Sequence, residues 1–290
     1  MRSFKILVFT IVTFAPFFAD AQSFFAIRRN RNLLVGLGSG TANYYGEMVN
    51  PGEFGIIKPN ITVSAEYYWL PRISSRAQLT WFQFSGDDSK ADDDRRERNL
   101  SFTSSNIELS VIGVVHLSPM GTRFYQRSPL DIYGFLGFGL LRFNPKTVAP
   151  DGEKVALAPL QTEGVKYSRI QPVIPVGLGV RVKVDPFFNI LVEGGYRLTF
   201  TDYLDDVSIK RYPDPAILSS DLARALSDRR PEIGTQPDRP QEVGVRGNPD
   251  ENDGYFIANI TLQYYLPTEI FRSSQHKLYR SKRKFWNRRR

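Results

Sequence analysis

Six charged residues sit where they would have to meet one another. Glu66, Arg76, Glu108, Arg181, Glu193 and Arg197 all fall in segments of alternating polarity, on or near the polar face. Carboxylates and guanidiniums brought into one closed interior must pair, because an unpaired buried charge costs several kcal/mol. The chemistry this implies is structural, an interlocking plug of ion pairs. The competing reading makes the same charges the lining of a narrow, ion-tuning channel.

Catalytic chemistry has little to work with. The chain has no Cys and only two His, His116 and His276, so cysteine-based zinc sites and Cys–His nucleophiles are excluded and a histidine metal site is disfavoured. No Ser/His or Asp/His arrangement of the kind hydrolases need is recognisable. The expectation is a non-enzymatic protein with no cofactor, no metal and no small-molecule substrate. Asp92, Asp93 and Asp94, and Asp202, Asp205 and Asp206, form acidic clusters that could bind Ca²⁺ weakly, but without calcium-loop spacing they read better as solvated loops. The run Gly36–Leu–Gly–Ser–Gly40 lacks the Lys-Ser/Thr ending of a phosphate loop and leads into no helix.

The remaining chemistry is charge. Residues 267–290 carry Arg272, Lys277, Arg280, Lys282, Arg283, Lys284, Arg288, Arg289 and Arg290 against Glu269, and these account for the whole net charge of +8. With Phe285 and Trp286 among them, the tail reads as an interaction arm. Three readings stand: docking on an acidic protein, contact with the anionic headgroups of the outer-membrane lipid, or a merely solubilising tail. Nucleic acid is excluded by export.

Export is read from the first residues. Arg2 and Lys5 precede an apolar stretch from Ile6 to Phe18, and Ala19–Asp20–Ala21 offers a cleavage site, so residues 1–21 form a signal peptide. Residues 22–32 then make a short N-terminal periplasmic segment.

The elements that must position the six charges alternate with a period of two. Ile61, Val63, Ala65, Tyr67 and Trp69 lie opposite Asn60, Thr62, Ser64, Glu66 and Tyr68. Eight such strands are predicted: 33–45, 60–70, 73–84, 100–117, 130–143, 167–185, 189–201 and 255–266. Their connections alternate between short turns and long, charged loops, the last running from Asp202 to Gly254. That rhythm predicts an all-β, transmembrane, antiparallel up-and-down barrel over 33–266 in the outer membrane of a Gram-negative bacterium, both termini periplasmic. Aromatic residues at strand ends, including Tyr44, Tyr68, Phe82, Phe84 and Tyr255, read as a membrane girdle. Within the last loop, Asp214 and Pro215 are predicted to start one helix over 215–227, followed by a flexible stretch to Gly254.

With these features in place the sequence resembles a family of small Bacteroidota outer-membrane barrels, the one that includes PorG of the type IX (Por) secretion system. The likeness is carried by the glycine-rich first strand running into Tyr44, Tyr45, Gly46 and Glu47, and more diffusely by the span 33–266 and the basic end. The resemblance implies a barrel of about eight strands associated with the periplasmic ring built by the lipoprotein PorK and by PorN. It also implies a role in protein export and, in some relatives, gliding. A passive porin or an adhesin-like, surface-binding barrel is the alternative.

Overall fold

The computed structural model describes residues 31–49, 56–90, 93–121, 123–234 and 244–267. The export segment 1–21 and the basic residues Arg272–Arg290 lie outside them. Strands β1 (Leu33–Tyr45), β2 (Lys58–Leu70), β3 (Ile73–Asp87), β4 (Ser101–His116) and β5 (Leu130–Arg142) are followed by a small hairpin, β6 (Pro145–Val148) and β7 (Lys154–Ala156). Then come β8 (Ile170–Lys183), β9 (Phe188–Thr199) and β10 (Gly254–Leu266). All neighbours are antiparallel, and β1 pairs with β10 from Leu33↔Leu266 to Tyr45↔Gly254, closing eight strands into a barrel. The small hairpin extends β4 beyond the rim through Thr103↔Lys146. The eight predicted strands thus form, each within a few residues of its expected ends.

Closure follows from the pattern of faces. Along β2 and β4 burial alternates residue by residue; the inward face is mostly polar, with Phe102, Ile112 and Val114 of β4 the apolar exceptions, and the outward face is mostly apolar. Phe138 is 75% exposed, Leu178 69%, and Leu37 and Ile260 63% each. In water such a belt would be an extensive apolar patch, whereas in a bilayer it is solvated by acyl chains. The protein is therefore a membrane-spanning barrel. Its backbone polar groups are paired all the way round, as a hydrocarbon medium requires. At Gly40 a Cβ would run into the Ala258 carbonyl across the β1–β10 seam, so glycine is what lets these two strands approach.

The interior has three storeys. At the short-turn end Leu34, Tyr68, Phe124, Phe187 and Tyr265 form an apolar floor. The middle holds polar and charged side chains, with an apolar cluster of Ile112, Val114, Tyr133, Phe135 and Leu191 beside them. Glu66 faces Arg76 across the β2–β3 register and is wholly buried. Arg181 Nη2 donates to both Glu66 oxygens at 2.8 Å, Arg76 Nε lies 3.2 Å from Oε2, Ser74 donates at 2.7 Å and Gln263 at 2.9 Å. Arg76 also pairs with Glu193, and Arg197 lies 3.5 Å from Glu108. The third storey, at the long-loop mouth, is an aromatic and aliphatic cluster that includes Tyr44, Phe82, Phe84, Phe143, Tyr255 and Ile257.

The upper storey and the floor together correct the girdle reading. Tyr44, Tyr68, Phe82, Phe84 and Tyr255 point inward, while Trp69, Trp81 and Phe200 stay on the outside. An inward position at a strand end has the same parity as the polar face, but loops fold over the mouth and make that end dry.

The central carboxylate makes a clear prediction. Glu66→Ala leaves Arg76 and Arg181 buried without their shared partner, so the barrel should lose about 3–5 kcal/mol of stability. Reversible urea unfolding in detergent, read by the heat-modified gel shift, measures it, and a loss within error of zero would contradict the account.

Candidate functional site

The long-loop mouth carries the densest chemistry among the described residues. The loop between β9 and β10 folds back over the opening, burying Leu204, Val207, Tyr212, Leu218, Ala223 and Leu226. The helix expected over 215–227 is broken. A 3-10 turn, Pro215–Ile217, is capped by Asp214, the chain then extends, and Ser220 starts a separate α-helix, Asp221–Ser227, by accepting from the Ala223 amide. Serine at a helix start competes for backbone amides, and two serines in a row end the first turn. Ile217 is exposed, and Leu218 and Leu226 carry the packing.

The stretch after that helix was expected to be flexible. Its described parts are instead tied down, with residues 235–243 lying outside the description. Arg246, 1% exposed, lies 3.1 Å from Glu163 of the β7–β8 loop. Glu163 also accepts from the Ser208 and Ile209 amides at 3.0 and 3.2 Å. Arg98 holds Asp88 with two bonds of 2.7 and 2.8 Å and donates to the Arg246 carbonyl. Arg230 stacks 3.7 Å over the Tyr212 ring and pairs with Asp228. Three long loops are thereby cross-linked into one lid.

Beneath the lid Asp202, Asp205 and Asp206, expected to be solvated, are buried, and so is Asp253. Asp202, Asp205, Asp206 and Asp253 are each less than 8% exposed. Asp206 accepts from Thr162 and Tyr167, and Asp205 Oδ1 accepts from the Val207 amide at 2.9 Å. Asp253 Oδ2 accepts from the Leu204 amide at 2.9 Å. The Tyr44 hydroxyl lies 2.8 Å from Asp205 and 2.6 Å from Asp253. Carboxylate oxygens of Glu47, Asp202 and Asp253 all lie within 4.8 Å of one another. Burial and mutual repulsion push Glu47 up to about 8 and Asp202 up to about 7, and hold Asp205 and Asp253 well above the usual carboxylate range.

The sequence places Asp202, Asp205 and Asp206 together but does not single out Glu47, Asp253, Glu163 or Arg246. A signal existed for two of these. Glu47 follows the end of β1, Asp253 precedes β10, and Asp202 follows β9, so all three stand where adjacent strands reach the same rim. Glu163 and Arg246 meet only through loop tertiary structure. Of the six interior charges, Glu66, Arg76, Arg181 and Glu193 share one network, and Glu108 and Arg197 form a separate pair nearer the mouth. His116, at the short-turn end of β4, is buried between Ser74 and Asp131, with Nδ1 2.7 Å from the carboxylate.

No protein-family model and no curated protein sequence matches the chain. Among solved structures it is similar to Ail, the attachment invasion locus protein of Yersinia pestis, at 9% identity, covering 82% of this chain and 99% of that one with a TM-score of 0.40. It is similar to Neisserial surface protein A at 12%, covering 81% and 97%, TM-score 0.41. A major outer membrane protein of Thermus thermophilus matches at 12%, covering 81% and 99%, TM-score 0.41. The chain's own topology and outward apolar belt define it as a closed eight-stranded, membrane-spanning barrel.

The lid makes its own prediction. Arg246→Ala strands Glu163 without its counter-charge, so limited proteolysis should cut within 200–253 at protease concentrations that leave the wild-type loop intact. The barrel itself should keep its heat-modified mobility.

Proposed function

We propose that the protein is a non-enzymatic outer-membrane barrel acting as a fixed component of a type IX secretion and gliding machinery in a Bacteroidota bacterium. The barrel is the anchor in the bilayer, and the basic tail is the contact with the periplasmic ring lipoprotein and its associated secretion proteins. The observation that carries this reading is the filled lumen. Phe82, Tyr255, Leu141 and Glu66 are inaccessible to water and Arg76 nearly so, which suits a post rather than a conduit.

The tail supports it from the other end. β10 ends at the short-turn rim, the rim on which β1 begins, so residues after Leu266 leave the barrel on the side away from the long loops. With the long loops outward, as in barrels of this kind, that side is the periplasm, where nine Lys and Arg side chains would meet an acidic protein surface or lipid headgroups. The resemblance in the first hairpin supplies the particular machine. A surface-binding role is the second reading, favoured by an open cleft of about 930 Å³ at the long-loop mouth.

Co-purification from gently solubilised envelopes separates the two. The tagged full-length protein is expected to bring down periplasmic ring proteins, and a chain ending at Leu266 is expected to lose them while remaining a folded, heat-modifiable barrel. Both versions emerging alone would contradict the secretion reading and favour surface binding.

A further inference from the structure

We propose that Glu47, Asp202 and Asp253 bind one calcium ion at the long-loop mouth, tying the ends of β1, β9 and β10 together beneath the lid. The geometry fits a shared hard cation. Calcium takes six to eight oxygens at about 2.3–2.6 Å, so two ligands of one ion can stand up to about 5 Å apart. The three carboxylates meet that limit, lying within 4.8 Å of one another.

Asp202 supplies the observation that separates this trio from an ordinary acidic cluster. It is 7% exposed, and neither carboxylate oxygen makes a well-formed hydrogen bond, its polar side-chain neighbours being the Ser208 hydroxyl and the carboxyl of Glu47. Glu47 Oε2 is likewise buried without one, although Oε1 accepts from the Asn248 amide at 3.2 Å. Natural proteins satisfy buried carboxylate oxygens, and two neighbouring carboxylates with unsatisfied oxygens beside a third call for a cation or a shared proton. The nearby guanidiniums have other duties: Arg98 holds Asp88 and Arg246 pairs with Glu163. Tyr44 brings a single hydroxyl proton to both Asp253 and Asp205 and can satisfy only one of them.

The trio is also reachable. Glu47 and Asp253 line the cleft of about 930 Å³ at the mouth, which gives an ion an entry path and supplies water for the remaining coordination positions. All the ligands are carboxylate oxygens, which suits calcium rather than zinc or copper. The residues converge from three strand ends rather than from one loop. This explains how a calcium site can exist where no calcium-loop spacing is present.

The test uses the full-length protein folded in detergent, stripped with chelator and titrated with CaCl2 and, separately, MgCl2. One Ca²⁺ per barrel is expected, with an upward shift of the thermal midpoint and displacement of bound Tb³⁺, whose emission is excited through tyrosine. Asp202→Asn should weaken Ca²⁺ binding by at least about tenfold and abolish the thermal shift. Because it removes buried repulsion, it should leave the metal-free barrel as heat-modifiable as the wild type. Asp221→Asn, altering an exposed acid of the same loop, should change neither readout. Should Asp202→Asn fail to fold, Glu47→Gln carries the same expectation. The proposal is overturned by no saturable Ca²⁺ binding up to millimolar concentration, by binding undiminished in both variants, or by a site that takes only Mg²⁺.

Discussion

A charge inside a closed barrel has nowhere to go. The lumen of eight strands is only wide enough to be filled by side chains, so Glu66 cannot recruit bulk water and must be neutralised by neighbours. The chain meets that demand from several strands at once: Arg76 and Ser74 on β3, Arg181 on β8 and Gln263 on β10 all converge on one carboxylate of β2. A slip of one residue in any of these strands would turn its partner toward lipid. The network is therefore a register lock as well as a source of cohesion. The aromatic storeys above and below keep water from reaching it.

Much of the barrel was legible because its physics is local. A strand between lipid and lumen must alternate, and turns at one end with loops at the other need only be counted. Glu66 and Arg76 could not be paired in advance, since the two-residue turn Pro71–Arg72 alone would set Glu66 opposite Ala77, and a β-bulge between Tyr68 and Leu70 shifts the register by one. Other features resisted for a physical reason. Whether an inward Phe84 or Tyr255 meets water depends on what covers the mouth, and that cover is built by residues far away in the chain. Likewise Asp202, Asp205 and Asp206 look solvated in a polar loop. Only the lid, held by Arg246 on Glu163 and by Arg98 on Asp88, makes them buried. The loop's proline and glycine content concealed this order, because its contacts are made by arginines rather than by an apolar period.

The two ends of the molecule thus differ in kind. The long-loop mouth is an acid-rich cap stapled across three loops, while the short-turn end is a sealed aromatic floor from which both described chain ends depart. A sealed barrel with a fixed cap and a cationic extension is arranged to hold a position and present surfaces. Its interior side chains are arranged to pair with one another rather than to pass a solute. Under the function proposed above, the membrane span is the anchor and the basic tail the contact with a partner.

The central claim is that the lumen is shut by its own ion pairs and aromatic storeys. Conductance across a planar lipid bilayer containing the folded full-length protein tests it most directly. The account predicts no steady single-channel current under moderate voltage at high salt. A stable, ohmic conductance from the wild-type barrel would contradict it and return the six interior charges to the lining of a pore.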